Sequence, residues 1–146
     1  MTASKAVEKA LAEQLEASVG ALANVCAFVG SEAAHENIEL PAVMIVGQPL
    51  DDVAPLRDQG YVDCIVNVRT AADLDGDRSA LESIFETATG AITPANIGPR
   101  IDSPWLLCGI DNTTEGGAPA SGVSSAEETR IQSKFRGYRF AMFKSA

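Results

Sequence analysis

The stretch YVDCIVNVR, residues 61–69, alternates apolar and polar side chains along its whole length. The apolar set, which should face a core, is Val62, Cys64, Val66 and Val68. Because successive side chains of a strand point to opposite faces of a sheet, this alternation predicts a strand that is buried on one face. Such a strand needs a second layer to cover its apolar face, and the flanking sequence offers helices for that layer.

Two segments with helical spacing lie on either side of this strand. Their apolar stripes are Val7, Leu11, Leu15, Val19 and Leu22 in residues 5–23, and Leu81, Ile84, Phe85 and Ala88 in residues 78–90. Ser4 and Asp77 are suitable N-cap residues, and Gly90 ends the second stripe. The spacing therefore predicts two amphipathic helices that pack on the sheet.

Further strands are predicted at residues 25–29, 40–47, 105–110 and 129–143. Residues 40–47 are apolar on both faces, which predicts a strand covered on both sides. In the last strand the apolar phase changes near Gly137, which predicts a bulge there. Residues 111–128 are rich in small and polar residues and are predicted to be a long flexible loop or the tip of a hairpin.

These elements together predict the fold class. We expect an α+β domain over residues 1–146, with a mostly antiparallel sheet packed against two helices and a long C-terminal strand. A chain of 146 residues is the size of one domain, and 46% hydrophobic residues allow a real core. The longest uncharged stretch, residues 17–31, is shorter than the roughly 20 apolar residues a membrane span needs, so we expect no membrane contact.

No motif in the sequence assembles a nucleophile, a base and an orienting group. His35 is the only histidine and lies in a polar stretch, so we interpret it as a solvated residue. The acids of residues 73–77 are spaced like the first three ligands of a calcium-binding loop. The glycine at position 6 and the glutamate at position 12 of such a loop are missing. Asp51 and Asp52 are adjacent and would point to opposite sides. We therefore expect no catalytic residue, no metal and no cofactor, and a protein that is not an enzyme.

The three cysteines are well separated, and each lies in an apolar run. Cys26, Cys64 and Cys108 form no Cys-x-x-Cys pair, and their number is odd. This pattern argues against a disulfide framework or a zinc site. We expect buried, reduced thiols and a chain that is made in a reducing cytosol.

Charge is distributed unevenly along the chain. Acids outnumber bases 20 to 11, which gives a net charge of −9 and argues against a general nucleic-acid binder. Residues 1–129 carry 6 bases and all 20 acids, a net −14, whereas residues 130–146 carry 5 bases and no acid. One interpretation is a charged strand that resists aggregation. The other is a head-to-tail contact in which Arg130, Lys134, Arg136 and Arg139 lie at a subunit or tail-tube interface.

The order of elements resembles a known family. An N-terminal amphipathic helix, the strand entry LPAVMIVG at residues 40–47, the strand at residues 61–69, a helix and a long closing strand resemble small tail terminator proteins of bacteriophages and prophages. The resemblance implies a hexameric ring that caps the tail tube, ends its polymerisation and offers a head-joining surface. It also implies the tail tube protein and head–tail connector or neck proteins as partners.

The same resemblance implies a location and a relation to DNA. The protein would be assembled in the cytoplasm of the host bacterium and would end in the tail or neck of the virion. DNA would pass through the ring without specific binding, and an acidic lumen would repel it. Two alternatives stay open: another phage neck or head-completion protein, or a small cytosolic α+β module that binds a ligand.

Overall fold

One five-stranded sheet with helices on one of its faces makes up the fold. The computed structural model describes residues 3–29, 39–47, 59–72, 78–123 and 130–145. The elements are α1 (Ala3–Val19), β1 (Asn24–Val29), β2 (Ala42–Gly47), β3 (Gln59–Ala72), α2 (Ser79–Ala91), α3 (Pro94–Ile97), β4 (Trp105–Val123) and β5 (Arg130–Lys144). A 3-10 turn, Gly98–Arg100, follows α3.

The strands lie in the order β1-β2-β3-β5-β4. The β1–β2 pair is parallel, and the other three pairs are antiparallel. The predicted α+β class with a mostly antiparallel sheet and a long C-terminal strand is therefore confirmed. The order places β5 between β3 and β4, so the last strand of the chain is an interior strand of the sheet.

The helices cover one face of this sheet and enclose a single apolar core. The alternation predicted for β3 is confirmed, because Val62, Cys64, Val66 and Val68 are all buried against this layer. Helix α1 ends at Val19, four residues earlier than predicted, and the chain turns through backbone bonds from Leu22 and Ala23 to the Val19 carbonyl. Leu22 therefore leaves the apolar stripe and is 52% exposed.

The segment predicted as a loop is largely a strand. Strand β4 continues to Val123 and pairs with β5 as far as Arg130, so residues 111–123 are part of the sheet. The sequence of this segment does not indicate a strand, because glycine has a low strand propensity. Gly116 fits because the Phe135 ring occupies the place of its side chain, 2.9 Å from where a Cβ would lie. Residues 124–128 of the predicted loop lie outside the described residues.

The bulge predicted in β5 at Gly137 lies instead on the neighbouring strand β4, whose register shifts between Asn112 and Thr114, opposite Tyr138 and Gly137. Strand β5 pairs with β3 without interruption from Arg130 to Phe143, and the register shifts lie on β4. The same parity of β5 faces the helices throughout: Gln132, Lys134 and Arg136 first, then Tyr138, Phe140 and Met142. The apparent phase change arises because the first three of these are polar. Gln132 is nevertheless buried, and its amide donates to the Thr70 hydroxyl over 3.0 Å.

The predictions for β2, for the cysteines and for the N-cap of α2 have different outcomes. Strand β2 is buried on both faces, as predicted, since Val43 and Met44 point to opposite sides and are both buried. Of the three cysteines, which are all free thiols, only Cys64 is buried, and Cys108 is exposed on β4 at a register shift. The N-cap position of α2 is taken by Arg78, while Asp77 lies outside the described residues.

Candidate assembly surface

Three basic residues of β5, Lys134, Arg136 and Arg139, are paired with acids of the same subunit. Because β5 lies between β3 and β4 and under α2, each of these elements can supply an anion to it. The pairs are Lys134 Nζ to Glu82 Oε2 at 2.8 Å, Arg136 Nη2 to Glu115 Oε2 at 2.8 Å, and Arg139 Nε to Asp63 Oδ1 at 2.9 Å. Three of the four predicted interface residues therefore form ion pairs within their own subunit.

Two of these cations enclose an aromatic ring on the helix side of the sheet. Phe85 of α2 is buried, with Lys134 Nζ 4.5 Å and the Arg136 guanidinium carbon 5.2 Å from its ring centroid. A cation over the face of an aromatic ring is attracted by the ring quadrupole. Lys134 and Arg136 thus stabilise the packing of β5 against α2. In the sequence pattern these two positions appear only as polar residues.

Arg139 lies on the other face of the sheet, which has no helix among the described residues. We call this face the outer face. The Arg139 guanidinium binds both carboxylate oxygens of Asp63, at 2.9 and 3.1 Å, and lies 5.4 Å from the ring centroid of Tyr61. Asp111 of β4 is opposite Arg139 in the register.

The predicted interface residues do not form one patch. Lys134 and Arg136 face the helices, Arg139 faces outward, and the backbone of Arg130 lies at the far end of the β3–β5 ladder. The side chain of Arg130 lies outside the described part of the chain. The division of charge along the sequence is therefore not a division of charge in space, and the place of these residues at an interface stays a prediction.

A group of exposed apolar side chains on the outer face was not predicted from the sequence. Tyr61, Leu106 and Phe143 are 50%, 53% and 38% exposed, and we call them the outer patch. Leu106 is opposite Phe143, and Tyr61 is in the next row, opposite Ala141. The sequence did contain a signal for them, because apolar residues occur in β3 and β5 at the positions that alternate with the buried ones. Their proximity depends on strand pairing, which the sequence does not show.

The described residues show no other constellation with recognisable chemistry. In the described ranges no group of three or more His, Cys, Asp or Glu side chains could hold a metal ion. Burial raises the pKa of the Cys64 thiol well above its ordinary value, and the charges of Glu8 and Asp63 add to this, so the thiolate nucleophile is disfavoured. His35, Asp51, Asp52 and residues 73–77 lie outside the described residues.

Comparison with known proteins finds a shared fold but no family. No family model matches the chain, and no curated protein matches it. No helix of the described part is long and apolar enough to cross a membrane. The fold is similar to that of a chain in a structure described as the virion of a native gene transfer agent particle, with a TM-score of 0.60 and 16% identity. The match covers 96% of this chain and 98% of that chain, so the two share a fold from end to end.

Proposed function

We propose that this protein is a non-enzymatic structural subunit of a phage-type virion that caps the tail tube as a hexameric ring. In this role it ends tail polymerisation and provides the surface to which the head joins. The observation that carries the proposal is the end-to-end fold match to a chain of a gene transfer agent virion. The order of elements, which resembles the tail terminator family, supports the more specific role.

The surface of the subunit is consistent with assembly. Large apolar side chains exposed together often mark a functional surface, such as a contact with another protein. A closed ring needs a heterologous contact, in which one surface of each subunit binds a different surface of the next. The outer patch is one such surface, and the partners in this proposal are further copies of the chain, the tail tube protein and the neck proteins.

The main alternative is another neck or head-completion protein. The same fold match favours it, because the neighbouring structure is a whole virion and names no position within it. The two roles differ in what happens when the protein is absent. A particle without its tail terminator should have tails of uncontrolled length, whereas a particle without a head-completion protein should have tails of normal length that lack heads.

Two measurements test the proposal. Light scattering on a size-exclusion column should give about 92 kDa for six copies of the 15.3 kDa chain, and negative-stain images of that peak should show a ring with a central hole. Deletion of the gene in a particle-producing strain should give tails of uncontrolled length, which the intact gene restores. Tails of normal length in the deletion strain would refute the terminator role.

A further inference from the structure

We propose that the outer patch of Tyr61, Leu106 and Phe143 is the surface through which one copy of this chain binds a second copy. This inference rests on the proposed ring and names the surface that builds it. Three of the four large hydrophobic side chains that are exposed in the described residues belong to this patch. The fourth, Leu22, follows α1 beside β1, at the opposite edge of the sheet.

The charge of the outer face identifies the partner. Its charged residues in the described strands are Asp63, Arg69, Asp111 and Arg139, two acids and two bases. The described strands thus give this face no net charge, in a chain whose net charge is −9. Copies of so acidic a chain repel each other, which favours contact through a surface that adds no further negative charge. A basic partner would instead be drawn to the acidic surfaces elsewhere.

The edge of the sheet is a poorer candidate for this contact. Strand β4 is an edge strand, and the added strand of a second copy could in principle pair with it. Register shifts interrupt β4 between Leu107 and Gly109, between Asn112 and Thr114, and between Ala118 and Gly122. Such irregularities twist an edge and protect it from pairing. The contact is therefore expected on the outer face and not along the edge.

The area of the patch indicates which part of the contact it forms. From about 200 Å² for a fully exposed aromatic or large aliphatic side chain, the three exposed fractions amount to about 300 Å² of apolar surface. A stable two-protein interface covers about 800 Å² on each partner. The patch thus supplies the apolar centre of a larger contact, and the Arg139–Asp63 pair beside Tyr61 belongs to its polar rim.

The test compares Leu106→Asp with Leu22→Asp. Both positions are about half exposed, both variants add one negative charge, and only Leu106 lies in the patch. Sedimentation velocity across the widest accessible concentration range gives the state of assembly, and thermal unfolding verifies that both variants are folded. In a Cys26→Ser background, the exposed Cys108, two residues from Leu106, reports occlusion of the region through its rate of maleimide labelling.

We expect Leu22→Asp to assemble like the wild type and Leu106→Asp to assemble at least about tenfold more weakly. Labelling of Cys108 should slow on assembly of the wild type. If the wild type forms a closed oligomer and Leu106→Asp forms it equally well, the ring stands and this surface is refuted. If the wild type forms no oligomer at any concentration, self-assembly is refuted together with its proposed surface.

Discussion

Reversal of the charge of Arg136 tests whether the basic strand serves its own subunit or a neighbour. Arg136 is directly opposite Glu115 in the β4–β5 register, and its Nε and Nη2 atoms bind one carboxylate oxygen at 3.1 and 2.8 Å. The same guanidinium lies 5.2 Å from the ring centroid of Phe85. The variant Arg136→Glu removes both contacts and places two anions opposite each other.

The expected cost follows from these contacts. The ion pair contributes only about 0.5 kcal/mol, because the Glu115 side chain is 47% exposed and solvent screens it. The cation–π contact contributes about 0.5–1 kcal/mol. Two like charges directly opposite each other on neighbouring strands cost about 0.5 kcal/mol more. Arg136→Glu should therefore lower the free energy of unfolding by about 2 kcal/mol, which is a melting temperature lower by about 4–8 °C.

The swap variant, Arg136→Glu with Glu115→Arg, separates the two roles. It restores the ion pair across β4 and β5 but not the contact with Phe85, so it should regain about 1 kcal/mol. Urea unfolding of the wild type, the two single variants and the swap completes the cycle. A swap that is folded and assembles like the wild type places the role of Arg136 inside the subunit. A swap that is folded and does not assemble would show that a neighbouring subunit uses this cation.

Two outcomes would contradict these interaction energies. If Arg136→Glu costs less than about 0.5 kcal/mol, the ion pair and the ring contact do not act together in solution as the geometry indicates. If the swap is less stable than both single variants, the two side chains do not interact as a pair.

Three further predictions use features elsewhere in the fold. Gly90→Ala in α2 should raise stability by about 0.5–1 kcal/mol, since nothing lies within 4 Å of its added carbon, whereas Gly116→Ala should lower stability by displacing the Phe135 ring; urea unfolding tests both. Above pH 9.0, the ordinary pKa of Cys64, stability should fall more steeply in the wild type than in Cys64→Val, by up to about 1.4 kcal/mol per pH unit, since the unfolded thiol ionises while burial keeps the folded thiol protonated. Hydrogen exchange should be slow in 105–117 at the amides that point toward β5, and fast exchange at all amides from 111 onward would favour the loop predicted from sequence.

Local patterns were sufficient for part of the fold. The alternation in β3 and the apolar stripes of α1 and α2 report burial directly, because each depends on the geometry of one element. The continuation of β4 beyond Ile110 could not be predicted in this way. Its glycines favour loops locally, and it becomes a strand only through pairing with β5 and the place of Phe135 over Gly116.

The candidate surface was harder to predict because it depends on strand order. The sequence singled out the cations of β5 by composition. It could not show that β3 and β4 would flank them and bring Asp63 and Glu115 within bonding distance. To predict the outer patch, two strand registers must be known at once. The β3–β5 register places Tyr61, and the β4–β5 register places Leu106.

The strand order also reverses the salt dependence expected of the assembly. A contact between a basic strand and an acidic surface weakens as salt screens the attraction. In this fold three of the basic residues are neutralised within the subunit, and the described strands of the face that bears the outer patch carry no net charge. The charge that acts between copies is then the repulsion between chains of −9, which salt also screens. Assembly should therefore be stronger at high salt than at low salt, and a ring that dissociates as sodium chloride rises would refute the apolar contact and favour the charged one.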